Sequence, residues 1–207
     1  MILFELTQNE AHPVYQALEI SNGGRQYDFL RSMVVASIDM GRPFLSQSLI
    51  KALNFQAIGC LHISAGEYRP CSVIVGDHRP PEHYRVDALM EDFVNTVNRA
   101  WHEADPVVLA SVALWQLNYI HPFINGNGRT ARAICYFVLC VKLGGWLPGE
   151  VILPELLRRN REKYIEALRK VDESLKTGLD LAPLHTLISG LLAEQIGSAS
   201  GQQDSNN

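Results

Sequence analysis

The stretch that decides the fold reads His121-Pro-Phe-Ile-Asn-Gly-Asn-Gly-Arg-Thr-Ala-Arg132. A helical pattern precedes it and begins at Asp105-Pro106, where an N-capping aspartate is followed by proline at the first helical position. Pro122 and the triplet Gly126-Asn-Gly128 interrupt that pattern. A second pattern follows from about Arg129 and is apolar nearly all round, which is typical of a buried helix. The sequence therefore predicts a helix, a glycine-rich loop and a central helix.

The loop has the composition of an anion-binding site. Gly126 and Gly128 allow consecutive N–H groups to point into one concavity, and the next helix adds the free N–H groups of its first turn. Arg129 and Arg132 lie on nearly the same helix face, and guanidinium groups suit phosphate oxygens. His121, with an ordinary pKa of roughly 6.5, suits proton abstraction near neutral pH. Each residue alone has an ordinary structural interpretation, but their combination predicts a phosphate site.

Composition limits the classes of protein to consider. The chain has 207 residues, of which 47% are hydrophobic and 19% charged, as in an ordinary soluble globular protein. A net charge of −4 argues against nucleic acid binding by bulk electrostatics. We expect no membrane association and a cytoplasmic location, because no apolar stretch is long enough for a span and no secretory signal is recognisable. A secreted effector without a cleavable signal stays open.

Most of the remaining sequence has helical periodicity, with one exception between Gly66 and Pro81. A short β-branched run followed by a glycine turn predicts one small β-hairpin there. Its strand residues are Ser72, Val73, Ile74 and Val75. Further helices are predicted over 27–39, after an N-cap at Ser46, and over 155–174. We divide the chain into an N-terminal helical segment (1–44), a core domain (45–197) and a polar, disordered tail (198–207).

The segment 121–132 resembles the signature of the Fic family (the Fic/Doc, or Fido, fold), HxFx(D/E)GNGRxxR. Gly66-Glu-Tyr-Arg69 resembles the family segment that leads into its target-docking hairpin, the flap. The stretch 153–168 resembles the helix after the core, and Tyr164 matches the tyrosine that lines the adenine pocket. The resemblance implies a mainly α fold: a Fic-type helical bundle around a central helix–Gly-rich loop–helix, with one small β-hairpin flap.

The resemblance also implies an activity, the transfer of AMP from ATP to a hydroxyl side chain of a target protein. His121 would be the catalytic residue that takes the hydroxyl proton. Gly126, Asn127 and Gly128 would hold the α- and β-phosphates through loop amides. Arg132 would hold the γ-phosphate, and Arg129 would brace the loop and phosphates. The hairpin would bind an extended segment of the protein target by adding a strand.

Asn125 departs from the signature, which carries an acidic Mg²⁺ ligand at that position. An amide oxygen is a weaker Mg²⁺ ligand than a carboxylate, so Mg²⁺ is expected to bind with a weakened site. Three outcomes stay open: a weak AMP transferase, a transferase with another donor or metal demand, and a nucleotide-binding pseudoenzyme. We favour retained transferase chemistry, because His121 and both arginines are present.

Restraint of the activity is a separate question. Family members are often inhibited by a helix whose glutamate pairs with the second arginine of the signature. The segment 35–40 resembles that helix only loosely, and an ordinary amphipathic helix is its favoured interpretation. A separate, antitoxin-like inhibitor therefore stays open as a partner.

Overall fold

The computed structural model describes residues 2–41 and 45–200. Within these ranges the chain forms nine α-helices and a short 3-10 helix at His83–Arg85. The helices in chain order are α1 (Leu3–Thr7), α2 (Pro13–Asp39), α3 (Gln47–Ile58), α4 (Val86–Ala100), α5 (Pro106–Ile120), α6 (Asn127–Lys142), α7 (Leu153–Arg159), α8 (Arg161–Ser174) and α9 (Ala182–Ser200). None of these helices combines the length and the apolar character that a membrane span requires. The predicted mainly α fold is confirmed.

Helix α6 forms the centre of the molecule. It packs most extensively against α5 and also contacts α2, α3 and α7. Large side chains such as Tyr136 and Phe137 are fully buried along it. Burial of each such side chain contributes about 1.5–3 kcal/mol. The continuous apolar pattern after residue 129 therefore predicted the central helix correctly.

Two helix starts have the caps that the sequence predicts. The Asp105 carboxylate accepts hydrogen bonds from the N–H groups of Val107 (2.8 Å) and Val108 (3.1 Å) at the start of α5. The Ser46 hydroxyl accepts one from Leu49 N–H (3.1 Å) at the start of α3. These bonds satisfy donors that have no partner inside the helix. Helix α5, whose far end carries the loop, thus begins at a fixed residue.

The N-terminal segment packs directly on the core. Helix α2 runs along α3 and α6, and two of its buried amides bond to carbonyl oxygens of α3 and its C-terminal cap. Asn22 donates to Gly59 (2.9 Å), and Gln26 donates to Leu53 (3.0 Å). At the other terminus, α9 extends to Ser200, so residues 198–200 of the predicted disordered tail are helical. The rest of that tail lies outside the described residues.

The predicted β-hairpin is not confirmed. The described residues contain two isolated β-bridges, Tyr68–Phe123 and Val75–His78, and no longer strand pairing. Val75 and His78 exchange two backbone hydrogen bonds of 3.0 Å around a two-residue turn. The ladder does not extend further, because prolines at 70, 80 and 81 have no N–H to donate. We call residues 70–81 the flap; it is an irregular segment closed by one bridge.

Candidate active site

The start of α6 forms a concave surface of backbone N–H groups. Gly126 precedes the helix with a left-handed φ of 79°. A Cβ at this position would lie 2.9 Å from both Asn54 Nδ2 and Ile58 Cγ2, so only glycine fits. Within the described residues no side chain caps this end of the helix. Its first-turn N–H groups and positive dipole end are therefore available to an anion.

The loop is held in shape by side-chain amides. Asn127 Oδ1 accepts from Phe123 N–H (2.9 Å), and Asn127 Nδ2 donates to the Phe123 carbonyl (2.8 Å). Buried Asn54 on α3 donates to the Asn125 carbonyl (3.0 Å). Asn127 thus closes the loop with its side chain, and only its backbone is available to a ligand. Asn54 was not predicted, because it lies 71 residues from its partner.

A cleft of about 990 Å³ opens at this loop. Five predicted site residues line it together: Val75, His121, Gly128, Arg132 and Tyr164. Helices α5, α6, α7 and α8 supply most of its wall, and the flap supplies part of the rest, including Val75. A cavity of this size is in the range of small-molecule and cofactor sites. The structure therefore places the predicted proton acceptor His121, the predicted phosphate ligand Arg132 and the tyrosine predicted to contact adenine, Tyr164, around one cleft.

The cleft is electropositive although the chain as a whole carries a net charge of −4. Its lining contains five arginines and three acidic side chains. The arginines are Arg79, Arg132, Arg158, Arg161 and Arg169, and the acids are Asp77, Asp172 and Glu173. A cleft lined by charges of one prevailing sign focuses the field and attracts a ligand of opposite charge. This cleft therefore favours a polyanion such as a polyphosphate.

His121 ends α5 in the left-handed region, with φ 50° and ψ 58°. Burial lowers the pKa of its imidazole to about 4. A hydrogen bond to the Asn118 backbone acts against that shift, while the nearby charges of His78 and Arg69 add to it. The side chain is therefore neutral near pH 7 and can accept a proton.

Arg69 joins the flap to the end of α5. Its guanidinium donates to the carbonyl oxygens of His121 (2.8 Å) and Cys71 (2.9 Å), and also to that of Pro81. The side chain is 2% exposed and has carbonyl partners on both sides. It thereby fixes both ends of the flap to the residue that carries the imidazole. The GxYR resemblance marked this arginine, but no role could be predicted from the sequence.

The two motif arginines have different environments. Arg129 is engaged by the protein: it forms an ion pair with Glu19 of α2 (3.0 Å) and donates to the Ala57 carbonyl (3.3 Å). Arg132 lines the cleft, and its Nε is buried without a partner among the described residues. A buried, unpaired guanidinium N–H is costly and is suited to an anionic ligand. Of the two motif arginines, Arg132 is therefore the one that is available to a ligand in the cleft.

The Asn125 side chain does not fit the role of a Mg²⁺ ligand. Its Oδ1 accepts from Gly126 N–H (2.6 Å) and from Arg129 Nη2 (3.2 Å). Both lone pairs of the oxygen are therefore used, and one is used by a cation. The described residues also contain no group of three or more His, Cys, Asp or Glu side chains able to hold a metal ion. We assign no chemical step to a metal at this position.

Tyr164 of α8 forms part of the wall of the cleft. Its hydroxyl accepts a hydrogen bond from Asn118 Nδ2 (2.8 Å), and the side chain is otherwise buried. Burial raises the pKa of this phenol, so it stays neutral. Asn118 lies one helical turn before the residue that carries the imidazole. The tyrosine is therefore fixed relative to His121 through α5.

The fold and the site define a mainly α protein in which a neutral histidine and an unpaired arginine face the exposed start of a buried helix. The model of the Fic/DOC family matches residues 44–139. Solved structures with the same fold include a Fic domain containing signaling protein from Bacteroides thetaiotaomicron, with a TM-score of 0.70 and 25% identity over 88% of this chain and 72% of that one. The chain therefore contains a domain of the Fic/DOC family.

Two further comparisons extend this result. Fic-1 from C. elegans superposes with a TM-score of 0.74 at 24% identity, over 91% of this chain and 52% of that one, which supports the fold. Proteins named protein adenylyltransferase Fic, from Drosophila willistoni and Drosophila virilis, are 30% identical over 151 residues. The aligned region is 67% of this chain, but 29% and 30% of those proteins. The chain thus spans less than a third of the length of these curated relatives.

Proposed function

We propose that this protein transfers AMP from ATP to a hydroxyl side chain of a target protein. The observation that carries the proposal is the single cleft that joins His121 to Arg132 at the start of α6. Relatives named protein adenylyltransferase at 30% identity support the same class of reaction. The electropositive lining and the buried wall at Tyr164 suit a nucleoside triphosphate.

The proposed reaction uses this chain's own residues at each step. Neutral His121 takes the proton of the target hydroxyl, and the hydroxyl oxygen attacks the α-phosphorus of ATP. The bond between the α-phosphorus and its bridging oxygen to the β-phosphate breaks, and pyrophosphate leaves. First-turn N–H groups of α6 stabilise charge on the phosphates, and Arg132 holds the leaving group. Mg²⁺ would accompany ATP as a counter-ion of its phosphates.

Label transfer from α-labelled ATP tests the proposal. Wild-type protein should label a co-expressed or self target, and His121→Ala should abolish labelling while leaving ATP binding measurable. His102→Ala is a matched control, because His102 is exposed on the turn after α4. Equal background labelling by wild type and His121→Ala, with every nucleotide and metal tried, would exclude the transferase.

We propose that the target segment docks at the flap. Ile74 is 69% exposed and Val75 is 40% exposed, and Val75 also lines the cleft. Exposed apolar side chains beside a reactive cleft are suited to contact a protein substrate. Ile74→Asp should reduce labelling of the target about tenfold or more, at the scale of one lost apolar contact, and should leave ATP affinity unchanged. Loss of ATP affinity in this variant would count against a docking role.

A second function, nucleotide binding without turnover or with another donor, is favoured by Asn125. The amide that replaces the acidic residue of the signature is fully hydrogen-bonded within the protein. This alternative predicts saturable ATP binding that is lost in Arg132→Ala, with no label transfer by wild type. Calorimetric titration of both proteins separates it from the transferase, and no affinity for any nucleotide would exclude both functions.

A further inference from the structure

The orientation of the Asn125 amide is fixed by groups that can only donate. Gly126 N–H and the Arg129 guanidinium both donate to its oxygen, at 2.6 and 3.2 Å. A rotation of the amide would place its NH₂ group against these two donors. The nitrogen therefore points the other way, where it meets Glu10 Oε1 at 3.0 Å and His62 Nε2 at 2.8 Å.

These two acceptors belong to a small polar cluster between the N-terminal segment and the end of α3. The buried Tyr15 hydroxyl of α2 lies 2.9 Å from His62 Nε2 and 3.4 Å from Glu10 Oε1. The Phe4 ring lies over His62, with 4.8 Å between ring centroids. His62 Nε2 faces the Asn125 N–H, so this nitrogen accepts and the imidazole is in its neutral form. All four polar positions of Asn125 are thereby satisfied.

We propose that Glu10 and His62 are positioning residues for the phosphate-binding loop and that Asn125 links them to it. The side chain at position 125 is held by Glu10 of the N-terminal segment and by His62 after α3. Through its oxygen the same amide orients Gly126 N–H and Arg129, and Glu19 of α2 supports that arginine with an ion pair of 3.0 Å. Residues 10 and 19, which precede the matched family region, therefore set the shape of the loop.

A direct consequence concerns the substitution that would restore the signature. Asn125→Asp places a carboxylate oxygen next to Glu10 Oε1, where the amide nitrogen now lies 3.0 Å away. Two carboxylates at that separation repel each other. The double substitution E10Q/N125D exchanges the two groups, so that an amide at position 10 donates to a carboxylate at position 125. The exchanged pair keeps the hydrogen bond, and His62 donates to the new carboxylate when its proton shifts from Nδ1 to Nε2.

A double-mutant cycle tests the link between residues 10 and 125 without nucleotide. The inference rests on the proposed function only where it calls the loop a phosphate site. Failure of the cycle is therefore distinct from failure of the proposed function. Urea unfolding should show a lower midpoint for N125D and recovery of most of that loss in E10Q/N125D. E10Q alone should stay close to wild type, because its side-chain oxygen still accepts. Additive effects in the cycle would overturn the proposal.

Hydrogen exchange of the Gly126 amide provides a second test on variants that leave the loop sequence intact. Glu10→Ala should speed its exchange about tenfold, the factor that corresponds to a net hydrogen bond, and Glu10→Gln should restore the wild-type rate. Glu5→Ala is the matched control, since Glu5 is an exposed glutamate of α1. An unchanged rate in Glu10→Ala would overturn the proposal. So would a gain in Mg²⁺-dependent ATP affinity in N125D at unchanged stability, because position 125 would then face the phosphates.

Discussion

At the scale of single residues, His121 has a specific pH dependence. Burial holds its folded-state pKa near 4, below the ordinary value of 6.5. The neutral base therefore persists well into the acid range, and kcat/KM for label transfer should stay level from pH 7 to about 5.5 and fall with a midpoint near 4. A pH–rate profile measures this, and a midpoint near 6.5 would show a solvated imidazole.

The same shift has a consequence for stability. Because the folded pKa is the lower one, the unfolded chain binds the proton first as the pH falls. This residue therefore reduces the free energy of unfolding as the pH falls from about 6.5 through 4, the folded-state value. His121→Asn removes the titrating group. The urea midpoint of the His121→Asn variant should fall less than that of wild type as the pH is lowered from about 6.5 to 4.

The residues of the site divide by sequence distance into those that could be predicted and those that could not. His121, Gly128 and Arg132 share one short motif, and the local pattern was enough to place them around one loop. Glu10 contacts the loop across 115 positions of sequence, and no local pattern marks such a pair. Motif spacing predicted which residues lie together at the loop but not the residues that support it.

At the scale of helices, the cap of α5 can be tested directly. Asp105→Ala removes the acceptor for two N–H groups and should reduce the free energy of unfolding by about 1 kcal/mol. Asp105→Asn retains a capping oxygen and should lose much less. Thermal unfolding of the two variants measures the difference, and equal losses would show that the charge matters and the cap does not.

Helix boundaries could be predicted from the sequence where the boundary residue has a single physical role. Asp105 and Ser46 were predicted as caps, and both accept the expected bonds. The predicted helix over 155–174 is instead two helices, because Asn160 has a non-helical ψ of 38° and its side chain bonds back to the Leu156 carbonyl (3.0 Å). An asparagine in a helical pattern does not reveal whether it bonds its own backbone or faces solvent.

At the scale of the whole molecule, buried amides join helices that are far apart in the sequence. Asn22 and Gln26 fix α2 to α3 and its cap. Near the C-terminus, Gln195 fixes α9 to α6 and α7. Apolar packing favours contact between helices but does not by itself fix their relative position. Directional bonds from buried amides add that specificity.

The hydrogen bonds that Gln195 makes between α9 and the rest of the protein can be tested by substitution. Its Oε1 accepts from Leu153 N–H (2.7 Å), and its Nε2 donates to the Tyr136 hydroxyl (2.9 Å) and the Pro148 carbonyl (3.1 Å). Gln195→Ala leaves the buried Leu153 N–H without its partner and removes the bond to the buried Tyr136 hydroxyl, so the free energy of unfolding should fall by about 1–3 kcal/mol in urea denaturation. The neighbouring exposed Glu194→Ala should change it by less than about 0.5 kcal/mol. A single cooperative transition in Gln195→Ala would show that α9 unfolds with the core, whereas an early separate transition would show that this amide is what couples them.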